Sequence, residues 1–217
     1  MSAELDLDEL VRDLRRRHGA HTVVLYGSRA RGDAGPTSDV DVIVVRTEGG
    51  SDRDCRRWRG FDLDVHVRDE QDLATKLVDH AAGLAHARVL AQDAGSGDRL
   101  VARARYLLNQ PPPPPDRGYI ESLWAWGDKM RARIRATDPT LAAFQRANVI
   151  VQALPAWAEV HHRWYFGTKE TLTTIAREAP ALHAAFVAAI VPGAPVDAFD
   201  RLLNALFDPA IRPPPRE

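Results

Sequence analysis

Two neighbouring segments of this sequence carry its most informative pattern. They read VVLYGSRARG at residues 23–32 and DVDVIVV at residues 39–45. Apolar, β-branched residues surround a glycine-containing bend, a pattern that predicts two strands joined by a turn and a short helix. Because side chains alternate along a strand, Asp39 and Asp41 should share one face, with their Cα atoms about 7 Å apart. Two carboxylates on an otherwise buried strand are costly unless a divalent cation or another partner joins them. The stretch therefore indicates a functional site.

Composition narrows the class of protein. The chain has 217 residues and a net charge of −1, enough for one large or two small domains but without a strongly basic surface. We therefore expect no strong non-specific binding of nucleic acid. The single cysteine, Cys55, excludes a disulfide framework and favours a reducing cytoplasm. The acidic N-terminus argues against a signal peptide, and no apolar run is long enough to span a membrane. We expect a cytoplasmic protein.

The first half of the chain is predicted to combine helices with three strands. Leucines at helical spacing, followed by a glycine of the kind that ends helices, predict the first helix. Alternating apolar and polar residues predict the strands. The predicted elements are a helix from Leu7 to Gly19, strands at 22–26, 40–46 and 61–67, a loop at 48–52, a polar loop around Cys55, a helical stretch from Glu70 through Val89 and Leu90, and a helix at 98–108.

Five prolines at residues 111–115 then interrupt the chain. Such a run continues neither helix nor sheet and acts as a semi-rigid spacer, so a domain boundary is predicted there. Beyond it the pattern is helical, with Pro155 as a kink or break. The predicted divisions are a domain at 1–108, a linker at 109–116, a helical bundle at 117–210 with helices at 169–178, 180–190 and 195–207, and a disordered tail at 211–217.

The bend after the first predicted strand has the features of a phosphate site. Backbone N–H groups at a strand end, next to the start of a helix, can face an anion. Gly27 permits close approach of the backbone, and Ser28 adds a hydroxyl donor. Arg29 and Arg31 can add positive charge next to a triphosphate. Either arginine can equally be a solvated helix residue.

A third carboxylate is expected on the neighbouring strand. Phosphoryl transfer is assisted by two metal ions about 4 Å apart, and a third carboxylate normally completes the shell of one of them. Asp62 and Asp64 both qualify, because they share one face of the strand at 61–67. Asp64 sits deeper in the apolar run and is the preferred residue, with Asp62 left open.

These residues resemble a known family. Gly27-Ser28 followed by Asp39-Val40-Asp41 is similar to the motif of DNA polymerase β-like nucleotidyltransferases, and residues 27–32 and 63–65 resemble its minimal nucleotidyltransferases. The resemblance implies transfer of a nucleoside monophosphate from an NTP, ATP being expected, with two Mg²⁺ ions and release of pyrophosphate. In that scheme Asp39 and Asp41 bind both metals, Asp64 binds the catalytic one, and Gly27 and Ser28 hold the triphosphate.

The resemblance also implies an α+β nucleotidyltransferase fold, a small mixed sheet flanked by helices, followed by the all-helical bundle. The bundle is loosely similar to the C-terminal domains of antibiotic nucleotidyltransferases, including residues 164–169. Lys169 begins a helix just after Gly167 and is a candidate triphosphate contact. The expected acceptor is a hydroxyl of a small molecule such as an aminoglycoside-like antibiotic. The alternative is a toxin–antitoxin component that adenylylates a partner protein or RNA, and a homodimer is left open.

Overall fold

A computed structural model describes residues 5–208, apart from the side chains of residues 78 and 79. The chain divides into two compact units, one ending at Gln110 and the other beginning at Pro111. The predicted tail at 211–217 lies outside the described residues, as do the last two residues of the predicted bundle. No described helix is long and apolar enough to cross a membrane.

The first unit is built on a mixed sheet. Its elements are α1 (Leu7–His18), β1 (Thr22–Tyr26), α2 (Gly27–Arg31), β2 (Val40–Arg46), β3 (Asp52–Trp58), β4 (Phe61–Asp69), α3 (Glu70–Leu84), β5 (Arg88–Ala91) and α4 (Ser96–Leu108). Within the described residues, five strands pair in the order β3-β4-β2-β1-β5, with β2 and β4 parallel and the other neighbours antiparallel. The predicted α+β fold is therefore confirmed.

Helix α1 begins and ends where the sequence predicts. The Asp6 carboxylate caps it by accepting a hydrogen bond from the Glu9 N–H at 2.9 Å, and Gly19 ends it with φ +62°. Leu10 and Leu14 are fully buried against one face of the sheet, together with valines from β2 and β4. On the opposite face, apolar residues of β1 and β2 pack against α3 and α4. Helices therefore cover both faces, and β2 is buried on both sides.

Two strands were not predicted. The predicted loop ends where β3 begins, so Cys55 lies on a strand and not in a polar loop. Strand β3 is a charged edge strand without apolar alternation, the signal on which strand prediction depends. It is joined to β4 by Arg59 and Gly60, whose φ values of 47° and 90° are both positive, as in a type I′ hairpin turn.

The helical stretch from Glu70 through Leu90 was also predicted too long. Helix α3 ends at Leu84, and Val89 and Leu90 belong to β5. This strand has four residues, too few for a periodic pattern to separate it from a helix. Its pairing with β1, a contact distant in sequence, decides its conformation.

The second unit is helical in the part that the structure describes. Pro155 lies inside α6 and does not end it. A separate apolar core, including Trp124, Trp157 and Phe207, holds the helices together. The helices are α5 (Arg117–Arg133), α6 (Pro139–Val160), α7 (Thr168–Glu178), α8 (Pro180–Ile190) and α9 (Val196–Leu206).

Candidate active site

The turn after β1 lies directly against a carboxylate of β2. Tyr26, the last residue of β1, is paired with Asp41 in the antiparallel register, and the next residue is Gly27 with φ +69°. A Cβ atom at Gly27 would lie 2.1 Å from Oδ2 of Asp41, much closer than any real contact. Glycine is therefore required at position 27 for two reasons. It can adopt the left-handed conformation, and it has no Cβ atom to collide with Asp41.

Asp41 is the centre of a group of acidic side chains. In the parallel pairing of β2 with β4 its partner is Asp64, so both side chains lie on the same face of the sheet. Burial raises the pKa of Asp41 to about 6, and the negative charges of Asp39 and Asp64 add to this, against the opposing charges of Arg31 and Arg29. Burial and the acidic neighbours of Asp41 together outweigh the effect of the two arginines on its carboxylate.

Asp39 immediately precedes β2 and is exposed. The loop carrying it is fixed by Arg29, which donates to the carbonyl oxygens of Asp39 at 2.9 Å and Ser38 at 2.6 Å. The same guanidinium lies 5.0 Å from the centre of the Phe61 ring. Arg29, predicted as a phosphate contact, thus also positions the main chain next to Asp39. Nε of Arg31 lies 3.4 Å from Oδ1 of Asp33.

The third predicted carboxylate is held by a residue that sequence reasoning missed. Arg53 on β3 donates from Nε and Nη2 to the two oxygens of Asp64, at 2.8 and 2.6 Å. The Cys55 thiol donates to Oδ1 of Asp64 at 3.5 Å. Hydrogen bonding to Arg53 is the main reason that the pKa of Asp64 lies below its ordinary value. Asp64 therefore stays ionised at neutral pH.

Asp62 stands apart from this group. Its carboxylate is 68% exposed and lies 3.4 Å from Arg57, whereas the Asp64 side chain is 20% exposed. The strand register pairs Asp41 with Asp64, and Asp62 lies two residues further toward the hairpin turn. Register and burial thus both favour Asp64 as the neighbour of Asp41.

Comparison with known proteins gives these features a family. Residues 7–83 match the model of the family described as nucleotidyltransferase domain. The first unit carries a nucleotidyltransferase domain. The chain is therefore a transferase, and domains of this family transfer a nucleoside monophosphate from an NTP with a divalent metal. The match includes the Gly27 turn and all three aspartates.

The other comparisons are more distant. Curated proteins give no match. Among solved structures, a nucleotidyltransferase-like protein from Exiguobacterium sibiricum 255-15 aligns with 10% sequence identity and a TM-score of 0.40. The alignment covers 93% of this chain and 73% of that protein.

The acidic group of the nucleotidyltransferase domain has the donor chemistry that Mg²⁺ requires. Asp39, Asp41 and Asp64 offer only carboxylate oxygens, the ligands that this hard cation prefers. The raised pKa of Asp41, due to burial and to the other two carboxylates, shows that a cation there would relieve repulsion. Within the part of the chain that the structure describes, no three His, Cys, Asp or Glu side chains are grouped closely enough to hold a metal ion. Arg53 holds both oxygens of Asp64 in this arrangement.

The remaining predicted residues are placed as follows. Ser28 lies in α2, where its carbonyl oxygen accepts from the N–H groups of Gly32 and Asp33 at 3.0 and 3.1 Å. Lys169 belongs to the second unit, where it is exposed in the first turn of α7. Its contact with a triphosphate stays a prediction.

Proposed function

We propose that this nucleotidyltransferase uses ATP and two Mg²⁺ ions to transfer AMP to a hydroxyl group of a small molecule, an aminoglycoside-like acceptor being the first candidate. The observation that carries the proposal is the register pairing of Asp41 with Asp64 beside the Gly27 turn. It supports a site where two neighbouring strands present carboxylate oxygens next to a glycine turn.

Each residue has a defined part in this proposal. Asp39, Asp41 and Asp64 would hold Mg²⁺, which stabilises the charge on the oxygens attacking and leaving phosphorus. Arg29 fixes the main chain at Asp39, and Gly27 keeps the turn close to Asp41. Arg53 keeps Asp64 ionised, and each Asp64 oxygen that accepts one of its hydrogen bonds still has a lone pair for a cation.

The proposed small-molecule acceptor rests on the second unit. Its helices have their own apolar core, so this unit can form a pocket independently of the catalytic sheet. Tyr165 and Phe166 are each 39% exposed beside the start of α7. Exposed aromatic side chains of this kind can stack on the faces of sugar or base rings.

The test is a transfer assay on the full chain. ATP labelled at the α-phosphate is incubated with Mg²⁺ and a panel of aminoglycosides, other hydroxylated small molecules, and proteins and RNAs from the host. We expect label on a small molecule together with release of one pyrophosphate for each nucleotide transferred. Label appearing only on a protein or RNA from the host would support the toxin–antitoxin alternative. No transfer to any acceptor, with no pyrophosphate released, would contradict the proposal.

The close approach at Gly27 gives a sharp prediction. Gly27→Ala should lower the transfer rate at least about a hundredfold, because the new Cβ displaces Asp41 and misplaced reacting groups cost about that much. The matched control is Gly32→Ala, since Gly32 also has a positive φ of +83° but a Cβ atom added there would meet nothing within 4 Å. Rates and melting temperatures are compared. Equal rate losses in the two variants would show that backbone strain alone is responsible.

A second pair of variants separates the aspartates of β4. Asp64→Asn should slow the chemical step by about a thousandfold or more, because it removes a metal carboxylate beside Asp41. Asp62→Asn should change the rate by less than about threefold, since surface ion pairs such as that of Asp62 with Arg57 contribute little. Single-turnover rates at saturating ATP are the measurement. The reverse order would assign the third ligand to Asp62.

A further inference from the structure

A cavity lies far from the aspartates, between α3, α4 and the other end of the central strands. Its volume is about 360 Å³, at the lower end of the range for small-molecule sites. Its lining includes Val45, which pairs with Thr22 at one end of β1 and β2, whereas Tyr26 pairs with Asp41 at the other. Four residues of strand, about 13 Å, separate the two ends. The cavity is thus distinct from the nucleotidyltransferase site.

Two helix faces line this cavity with the same spacing. Helix α4 presents Ser96, Arg99, Leu100 and Arg103, at positions i, i+3, i+4 and i+7. Helix α3 presents residues 70, 73, 74 and 77 in the same way. On both helices leucines face the interior of the cavity and charged residues accompany them. The lining is mainly apolar, with a charged rim.

A chain of hydrogen bonds fixes the polar end of the cavity. The Ser96 hydroxyl donates to the Asp93 carbonyl at 2.9 Å, so its short bond with Thr22 requires the Thr22 hydroxyl to donate. The Thr22 hydroxyl can therefore only accept a hydrogen bond from His21. Nδ1 of His21 lies 2.8 Å from it and must carry the proton. This leaves Nε2 of His21, a buried atom with no hydrogen-bond partner among the described residues.

The nearest polar group does not satisfy His21. Oε1 of Glu70 lies 3.4 Å from Nε2, and a carboxylate cannot donate a proton to the lone pair of a neutral imidazole. A buried polar atom left in this way costs free energy unless a ligand or water joins it. Because Nε2 has almost no accessible surface, the polar partners of a ligand have to come from other residues of the lining.

The charges of the lining select the ligand. Arg99 and Arg103 outweigh Glu70, which leaves a formal charge of +1 with His21 neutral. Arg99 uses Nη1 to donate to the Ala94 carbonyl at 2.6 Å, and Arg103 has no hydrogen bond or ion pair with other described residues. Guanidinium groups bind carboxylates through paired hydrogen bonds. A dianion would bring a second negative charge toward Glu70.

We propose that this cavity binds a small monocarboxylate with a compact apolar body, its carboxylate toward Arg99 and Arg103 and its body against the leucines of α3 and α4. The site is separate from nucleotide transfer and does not depend on the acceptor proposed above. The apolar lining provides the main driving force, and the arginines provide the preference for an acid.

The test is NMR titration of the full chain with phenylacetate and 4-methylpentanoate, each beside its neutral amide. We expect saturable shifts of the backbone amides of Leu77, Ser96 and Leu100, with a dissociation constant of about 5 mM or tighter for at least one acid. The neutral amide of each acid, used as the control compound, should bind at least about tenfold more weakly than the acid. The backbone N–H signals of Gly27 and Asp41 should not shift as the acid is added.

Two variants locate the site. The double variant Arg99→Gln, Arg103→Gln should bind the acid about tenfold more weakly. Its affinity for the neutral amide control compound should be unchanged. Ala74→Leu fills the cavity and should abolish binding, while Ala102→Leu, at an exposed position of α4 outside the lining, should bind as the unaltered chain does. Absence of binding by both acids, equal binding of acid and amide, or unchanged binding by Ala74→Leu would each overturn the proposal.

Discussion

Asp41→Asn should abolish nucleotide transfer while the fold survives. The carboxylate of Asp41 lies between the Gly27 turn and Asp64, where the proposed function has it bind Mg²⁺. Losing its charge should cost several kcal/mol of transition-state stabilisation, a decrease in rate of about a thousandfold or more. The measurement is the single-turnover rate at saturating ATP, with circular dichroism as the check on folding. Near-normal transfer by a folded variant would refute the assignment of the site.

The same substitution should change how stability depends on pH in the absence of metal. Burial and neighbouring carboxylates raise the pKa of Asp41 from 3.8 to about 6, so the folded chain holds this proton more tightly than the unfolded chain. The contribution of Asp41 therefore favours folding at low pH and is lost as pH rises from 3.8 to about 6. Asp41→Asn removes that dependence.

Denaturation midpoints in EDTA across this pH range provide the measurement. Above pH 6 the asparagine variant should be at least as stable as the unaltered chain, since one of several repelling charges is gone. Asp39→Asn is the matched comparison, because Asp39 is exposed and loses little solvation on folding. A lower stability of Asp41→Asn above pH 6 would mean that Asp41 is compensated by a partner.

How much of this site the sequence predicts depends on how local each signal is. The strands around Asp39 and Asp41 follow from period-two alternation within a few residues, and the structure places Val40, Val42 and Val44 in one core as expected. Asp64 could be preferred over Asp62 because its apolar neighbours marked the buried part of the strand. Local patterns were sufficient to predict these strands and which of their residues are buried, and the choice of Asp64 as a metal ligand stays a prediction.

Arg53 could not be found in the same way. Its role depends on the pairing of β3 with β4, and β3 lacks the alternation from which a strand is predicted. The Arg59-Gly60 turn was the available signal, but arginine is an uncommon residue at a position with positive φ. The contacts of Arg29 with the loop at Asp39 and of Thr22 with Ser96 likewise form only when distant segments fold together. These contacts depend on strand pairing, strand register and tertiary packing, none of which can be inferred from a local sequence pattern.

The role of the second unit is tested by ending the chain at Gln110. Both apolar clusters that cover the sheet, one with α1 and one with α3 and α4, consist of residues before this point. The shortened chain should therefore fold, which circular dichroism can establish. It should still bind ATP in the presence of Mg²⁺, because Gly27, Asp39 and Asp41 remain.

Transfer to a small-molecule acceptor should be lost in the shortened chain. Positioning one reactant against another can supply roughly 7–11 kcal/mol of the reduction in barrier, and the proposal assigns the acceptor's share of this to the helical unit. ATP affinity and transfer rate are measured on the same preparation, so a loss of transfer with unchanged affinity identifies acceptor binding as the missing step. A folded chain ending at Gln110 that transfers AMP at the full-length rate would show that the helical unit does not bind the acceptor. The adenylylation of a partner protein or RNA would then become the better proposal, since the catalytic unit alone would be sufficient for it.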